Sequence, residues 1–166
     1  MRALFIPFAL VLLASAGCSS KTFDTDPTIF VDAKVTEPTV AVEQKALGTA
    51  INGGFTLSLH LGIRAAGSSD VNLEGFQLTS EDQNTIVVDA LPLAATGETL
   101  PITVDPGFDE TAKITINLGN DLLAKDIGQK LCNFGTVRYR GSISDSLRGG
   151  DVPVLTDPVQ VTGCTP

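Results

Sequence analysis

Apolar and polar residues alternate with a period of two in several short segments after residue 27, a pattern typical of half-buried β-strands. The two clearest segments are 56–63 and 112–118, where all apolar residues fall on one side of an extended chain. These apolar residues are Leu57, Leu59, Leu61 and Ile63 in the first segment, and Ala112, Ile114, Ile116 and Leu118 in the second. In a third segment the apolar phase changes at Gly75, which predicts a bulge or bend.

One segment has helical spacing instead. Leu123, Ile127 and Leu131 recur every four residues, and Asn120 in front of them is a residue type that caps helix N-termini. The spacing therefore predicts one short helix near 120–131.

The number and spacing of the strand segments predict the fold class. We expect an all-β fold, an immunoglobulin-like antiparallel β-sandwich of about 7–9 strands with one short helix. The cysteine spacing differs from that of antibody domains and the chain has no tryptophan, so a β-barrel is kept as the alternative.

The N-terminal residues have the parts of an export signal. Arg2 precedes a short apolar run over residues 3–14, and three small residues lead to Cys18. The apolar run is shorter than the roughly 20 residues that a membrane-spanning helix needs. This arrangement resembles a bacterial lipoprotein signal peptide, and that resemblance implies cleavage before Cys18 and lipid on its thiol. Ordinary secretion, with cleavage after the small residues at 14–16, is the alternative.

The lipoprotein resemblance implies three parts: a signal peptide at 1–17, a lipidated N-terminus and tether at 18–27, and a β-sandwich domain at 28–166. It also implies that lipid on Cys18 anchors the chain in a membrane of the cell envelope. Ser19 occupies the position where an Asp would favour retention at the inner membrane. The expected location is therefore the outer membrane, with the domain on its periplasmic or surface face.

Lipid on Cys18 would leave two cysteines, and their positions fit a hairpin. Strands at 136–144 and 152–162 with a turn at 147–151 predict an antiparallel pair centred on residue 148. Pairing about that centre places Cys132 opposite Cys164, within a residue or two. Because an exported chain meets an oxidising compartment, we predict a Cys132–Cys164 disulfide, with free buried thiols as the alternative.

Charge argues against nucleic-acid partners. Removal of residues 1–17 leaves 149 of the 166 residues and takes the net charge from −8 to −9, since Arg2 is lost. An acidic chain of this kind repels phosphate backbones, so we expect no nucleic-acid partner. The expected partners are a membrane, through the N-terminal lipid, and an envelope protein.

The sequence contains few residues that suggest catalysis or metal binding. His60 is the single histidine, and the Gly-x-Ser-x-Gly elbow of serine hydrolases is missing. Acidic turns offer oxygen ligands for calcium or a glycosidase carboxylate pair, but local hydrogen bonding explains acidic residues in turns. The acidic and amide residues considered are Glu74, Glu81, Asp82, Asn84, Asp105, Asp109 and Glu110. We predict no catalytic, metal or cofactor site.

Three features of the domain also resemble the late-embryogenesis type 2 sandwich family. They are a strand before Pro38, the segment Phe-Thr-Leu-Ser-Leu-His-Leu-Gly-Ile at 55–63, and the hairpin segment Val-Arg-Tyr-Arg-Gly-Ser-Ile at 137–143. This resemblance implies a sandwich and carries no catalytic motif.

Together these patterns predict a lipid-anchored envelope lipoprotein whose β-sandwich is a non-catalytic binding or structural module. One alternative is an accessory lipoprotein of a secretion or assembly machine that docks by strand addition at a sheet edge. The other is a hydrolase with His60 as its base.

Overall fold

The computed structural model describes residues 27–164, so Cys18, the proposed signal peptide at 1–17 and nearly all of the tether at 18–27 lie outside the described residues. The described chain forms ten strands and one helix. They are β1 (Asp32–Gln44), β2 (Thr49–Leu61), β3 (Ser69–Ser80), β4 (Ile86–Val88), β5 (Leu93–Thr96), β6 (Ile102–Val104), β7 (Phe108–Ile116), α1 (Lys125–Phe134), β8 (Thr136–Asp145), β9 (Gly150–Leu155) and β10 (Val159–Thr162). No helix in residues 27–164 has the length and apolar character needed to cross a bilayer.

The strands form two facing layers. One layer has the order β5-β7-β2-β1, and the other is built on β3 and β8, with β4 and β6 on β3 and β9 on β8. β10 joins the layers, because it pairs antiparallel with β8 and parallel with β1. This distribution of strands is that of an immunoglobulin-like sandwich, which confirms the predicted fold class. The described strand path ends at β4 and β5, which do not pair with each other, so the barrel alternative is wrong.

The strongest predicted strand supplies the centre of the core. Leu57, Leu59 and Leu61 of β2 are fully buried, as the alternation predicts. Ile63 departs from the prediction, because β2 ends at Leu61 and the Ile63 side chain is 58% exposed.

Three aromatic rings connect the layers. The Phe55 ring stacks on Phe76 with centroids 5.5 Å apart, and Tyr139 packs edge-on against Phe55 at 5.3 Å. The Tyr139 hydroxyl donates a 2.8 Å hydrogen bond to the Thr39 carbonyl of β1. Burial raises the pKa of Tyr139, so the phenol keeps its proton and remains a donor.

The predicted irregularity at Gly75 is a bulge in β3. The pairing of β3 with β8 shifts between Glu74 and Gln77, and Gly75 has a φ of 58°. Because the extra residue reverses the side-chain phase, Phe76 and Leu78 are buried on the new phase.

The helix lies further along the chain than predicted. Ala124 occupies its N-cap and makes no side-chain cap hydrogen bond, so the predicted cap at Asn120 is wrong. The reason is that Leu123 forms an isolated bridge with Thr49, with backbone hydrogen bonds of 2.8 and 2.9 Å in the two directions. That bridge holds the chain extended until residue 124. A Cβ on Gly128 would lie 2.4 Å from Thr49 Oγ1, so a glycine here lets α1 pack closely on β2.

Cys132 and Cys164 form a disulfide with Cα atoms 5.6 Å apart, which confirms the predicted pair. The predicted second strand of the hairpin is interrupted, since it consists of β9 and β10 with a break at 156–158. Cys132 lies in α1 and not on a strand, so the disulfide links the helix to the chain just after β10.

A buried carboxylate holds the start of β1. Asp145, at the end of β8, is 2% exposed. Its Oδ2 accepts from the Val31 backbone N–H at 2.9 Å, and its Oδ1 accepts from Ser69 Oγ at 2.6 Å and from the Leu147 N–H at 3.0 Å. Desolvation raises the pKa of Asp145, but these hydrogen bonds outweigh it and lower the pKa overall. The carboxylate therefore ties the N-terminal segment to β3 and to the β8–β9 turn.

Candidate binding surface

The outer face of the layer containing β1, β2 and β7 carries short polar side chains. Its composition follows from strand alternation, because the residues between the buried leucines of β2 point to solvent. The short polar residues exposed or half-buried on this face are Thr39, Asn52, Thr56, Ser58, Thr111, Thr115 and Thr162.

Two glycines create a groove across this face. A Cβ on Gly53 would lie 2.1 Å from the Thr39 carbonyl oxygen, and one on Gly54 would lie 1.9 Å from the Ile114 carbonyl oxygen. Beside them β1 bulges between Thr36 and Thr39, with Glu37 at a φ of 54°. Close strand approach and missing side chains therefore leave a depression, which the sequence pattern alone did not predict.

The groove consists of two adjoining cavities of about 350 and 360 Å³ that share Thr39 and Gly53. At one wall, Thr56 Oγ1 donates a 3.2 Å hydrogen bond to Glu37 Oε2, and Lys113 also lines this cavity. Of the described residues that line the groove, none is His, Cys or Ser, so the lining offers hydrogen-bonding groups and one charge of each sign. The exposed lining is more apolar than polar in both cavities, above all beside Val40 and Ala41, so the open groove suits an extended ligand that presents apolar groups together with a few polar ones.

A third depression on the same face, of about 380 Å³, contains His60. His60 Nδ1 lies 2.6 Å from Asp109 Oδ1, across the β2–β7 pair. A histidine oriented by a carboxylate is two parts of a serine-hydrolase triad. Here the imidazole and the carboxylate are both exposed, so water competes for their hydrogen bonds. Ser58, on the same face, is two residues away along β2.

The acidic turns are occupied by local hydrogen bonds. Asp82 accepts from Ser80 Oγ at 2.5 Å and from Asn84 Nδ2 at 2.8 Å, and these bonds lower the pKa of Asp82. Asp105 accepts from Ser68 Oγ at 2.5 Å. Within residues 27–164, no three or more His, Cys, Asp or Glu side chains are grouped so that they could hold a metal ion.

The remaining carboxylates considered from the sequence are distributed over both layers. Glu74 lies at the β3 bulge, Glu81 in the turn after β3, and Glu110 on β7 beside Asp109. Asp109 contacts His60 and therefore belongs to a different local arrangement from Asp105. Of the predicted site residues, Cys132 and Cys164 are brought together by the structure. Cys18, the predicted lipidation site, lies outside the described residues.

The two layers differ in how their edges are protected. Lys130 Nζ donates a 3.1 Å hydrogen bond to the Ile86 carbonyl of β4, and Pro153 removes a backbone donor from β9. By contrast, β5 pairs with β7 alone and lies at the end of the strand path. Of the described edges, β5 is therefore the open one of the layer that contains β1, β2 and β7, whereas β6 is a further short edge that pairs with β3 alone.

Comparisons with known proteins give limited similarities. No protein-family profile and no curated protein match the chain. A solved structure described as Northeast Structural Genomics Consortium target SoR45 aligns with a TM-score of 0.35 and 10% identity, over 80% of this chain and 83% of that one. The ASH / PapD-like domain of human CEP192 (PapD-like domain 7) aligns with a TM-score of 0.37 and 7% identity, over 98% and 99%. These scores are too low to carry an argument, so the fold assignment rests on strand topology.

Proposed function

We propose that this chain is a lipid-anchored lipoprotein of the cell envelope, and that its β-sandwich is a non-catalytic binding or structural module. The observation that carries the proposal is the sequence of Arg2, an apolar run and three small residues directly before Cys18. Two or more acyl chains on one residue are sufficient for stable membrane anchoring.

The disulfide gives independent support for export. Disulfides persist in oxidising compartments and are rare in the cytosol, so Cys132–Cys164 is typical of a protein outside the cytoplasm. The outer membrane remains the proposed location, because Ser19 follows Cys18.

Labelling with radioactive palmitate tests the anchor. We expect label in the full chain and loss of label and of membrane association in Cys18→Ala. A matched control is the Cys132→Ala/Cys164→Ala double variant, which removes two cysteines and should keep the label. Absence of label from the unaltered chain, with localisation unchanged in Cys18→Ala, would contradict the proposal.

The binding role centres on the groove at Gly53 and Gly54. Its lining is mainly apolar with a few hydroxyl and amide groups, which supports recognition of an extended ligand of mixed character, with Glu37 and Lys113 as charged contacts. The exchange variant Glu37→Lys/Lys113→Glu tests this role, because it keeps the net charge while reversing the two charges. We expect a changed set of envelope proteins after crosslinking, and an identical set would argue against the groove.

The exposed edge at β5 favours a second candidate, an accessory lipoprotein that docks by strand addition. A photo-crosslinker at the exposed Thr96 of β5 should then capture a stoichiometric partner. The matched position is Leu155 on β9, an edge that Pro153 interrupts. Equal capture at both positions, or none at Thr96, would contradict docking at β5.

A further inference from the structure

Three exposed apolar residues lie on adjoining segments at one end of the sandwich. Ile29 is 50% exposed, Ile63 58% and Phe108 62%, and we call these three residues the apolar tip. An ideal Cβ on Gly107, next to Phe108, would lie 3.6 Å from the Ile63 side chain. Large apolar side chains grouped in this way mark a surface that another apolar surface covers.

The described N-terminal segment leads directly into this end. A Cβ on Gly62 would lie 2.2 Å from the Thr28 carbonyl oxygen, so the chain at 28–29 passes along the residues just before Ile63. Asp145 then fixes the following segment through the Val31 N–H. The apolar tip therefore adjoins the point at which the polypeptide from Cys18 enters the fold.

The length of the tether decides which end of the domain is near the lipid. Nine residues, Ser19 to Pro27, reach at most about 30 Å when fully extended. The 13 residues of β1 alone span roughly 40 Å. Leu47, in the turn after β1, is at the far end of the sandwich. Because the tether joins the fold at the apolar tip and is shorter than β1, Leu47 reaches the bilayer only when the whole domain lies flat on it.

We propose that the apolar tip inserts into the lipid interface as a second, non-covalent membrane contact that orients the sandwich. This inference rests on the proposed lipid at Cys18. Insertion uses apolar burial and not charge, because Asp105 before β7 and Asp109 on β7 are acidic neighbours of Phe108 and the chain is acidic overall. Zwitterionic phosphatidylcholine vesicles are accordingly the suitable membrane.

The absence of tryptophan from the sequence gives a direct assay. Phe108→Trp places a single fluorophore at the tip, on a side chain already exposed, so folding is retained. Leu47→Trp is the matched control, because Leu47 is 92% exposed at the opposite end. Each lipidated full-length variant is reconstituted into phosphatidylcholine vesicles with or without brominated acyl chains, after the mass of the N-terminal peptide has confirmed the lipid.

We expect bromine to reduce Phe108→Trp emission about twofold, since interfacial insertion reaches roughly 5–10 Å, and to leave Leu47→Trp unchanged. Ile63→Trp should repeat the Phe108→Trp result. Equal quenching at both ends of a lipidated protein would overturn the inference while leaving the proposed anchor intact. So would a Phe108→Trp signal that bromine does not reduce, as when a second copy of the chain covers the tip. A chain that carries no lipid on Cys18 would overturn both.

Discussion

Replacement of Asp145 should be among the most damaging single changes to this domain. The residue is buried, and Asp145→Ala would leave the Val31 and Leu147 N–H groups and the Ser69 hydroxyl without their acceptor. A bond to a charged acceptor contributes about 1.5–3 kcal/mol, and a buried donor left unsatisfied costs about 1–3 kcal/mol. Removing the carboxylate also removes its own desolvation cost, so the three losses do not simply add. We expect a net loss of about 3–5 kcal/mol in the free energy of unfolding.

Urea unfolding followed by tyrosine fluorescence or circular dichroism measures this loss. With a slope of about 2 kcal/mol/M, a loss of 4 kcal/mol moves the midpoint by about 2 M. Asp82→Ala is the matched control, because Asp82 also accepts several hydrogen bonds but is fully exposed, and its midpoint should hardly move. A loss below about 1 kcal/mol for Asp145→Ala would refute the reasoning.

The same carboxylate gives a pH dependence. Its folded-state pKa lies below the usual value of 3.8, so the unfolded chain takes up the proton first as the pH falls. The stabilisation is complete above the unfolded pKa and is lost as the pH falls through the folded one. The difference in unfolding free energy between the unaltered chain and Asp145→Asn should therefore be constant near neutral pH and shrink below about pH 4. A difference that grows with acidification would contradict this assignment.

Three other changes test the core, the groove and the disulfide. Tyr139→Phe removes the hydroxyl that bonds to the Thr39 carbonyl, and should cost about 1 kcal/mol in urea unfolding because a part-buried carbonyl loses its donor. Gly53→Ala places a Cβ 2.1 Å from the Thr39 carbonyl oxygen at a φ of 146°, and should cost about 2–3 kcal/mol in the free energy of unfolding. A change under about 0.5 kcal/mol would show that β1 and β2 move apart freely at this point. Replacing Cys132 and Cys164 together by Ser opens a loop with a sequence separation of 32, and should cost about 3–4 kcal/mol, with dithiothreitol producing the same midpoint shift in the unaltered chain.

Gly67→Ala serves as the control for the glycine change, since nothing lies within 4 Å of its Cβ position. Chain entropy alone would make Gly67→Ala neutral or slightly stabilising, so an equal loss at Gly67 and Gly53 would contradict strand contact as the cause. Cys18→Ser is the control for the disulfide, because it removes a cysteine outside the described domain and should leave the urea midpoint unchanged.

The sequence predicted features set by local periodicity. Leu57 and Leu59 are buried as their alternation indicates, and the phase change at Gly75 marks the observed bulge, because both depend on neighbouring residues along one strand. The Cys132–Cys164 pair was predictable for a related reason, since the register of the hairpin continues to Val137 opposite Val159 and brings the helix end with Cys132 close to Cys164.

Features that depend on contacts between distant segments were not predictable. Asn120 is of a residue type that caps helices, but the bridge between Leu123 and Thr49 keeps the chain extended beyond Asn120. The groove at Gly53 and Gly54 has no signal in the periodicity, because it arises only from the approach of β1 and β7 to β2. Periodicity likewise does not predict the hydrogen bonds of Asp145 to Ser69 and Val31, because these partners are 76 and 114 residues away in the chain.

The parallel pairing of β10 with β1 determines how the domain would carry mechanical load. β1 begins at the end where the described chain enters the fold and β10 finishes near the opposite end, and the strands are matched at Val40 with Val161 and at Ala41 with Thr162. Tension applied between the start of β1 and the end of β10 pulls these two strands in opposite directions along their axes. Their backbone hydrogen bonds are therefore loaded together in shear and do not open one at a time. The Cys132–Cys164 link fastens the chain just beyond β10 to α1, which prevents that strand from peeling away from its free end. A domain pulled in this geometry resists extension along its length, because the β1–β10 pairing and the disulfide have to yield before the two layers separate.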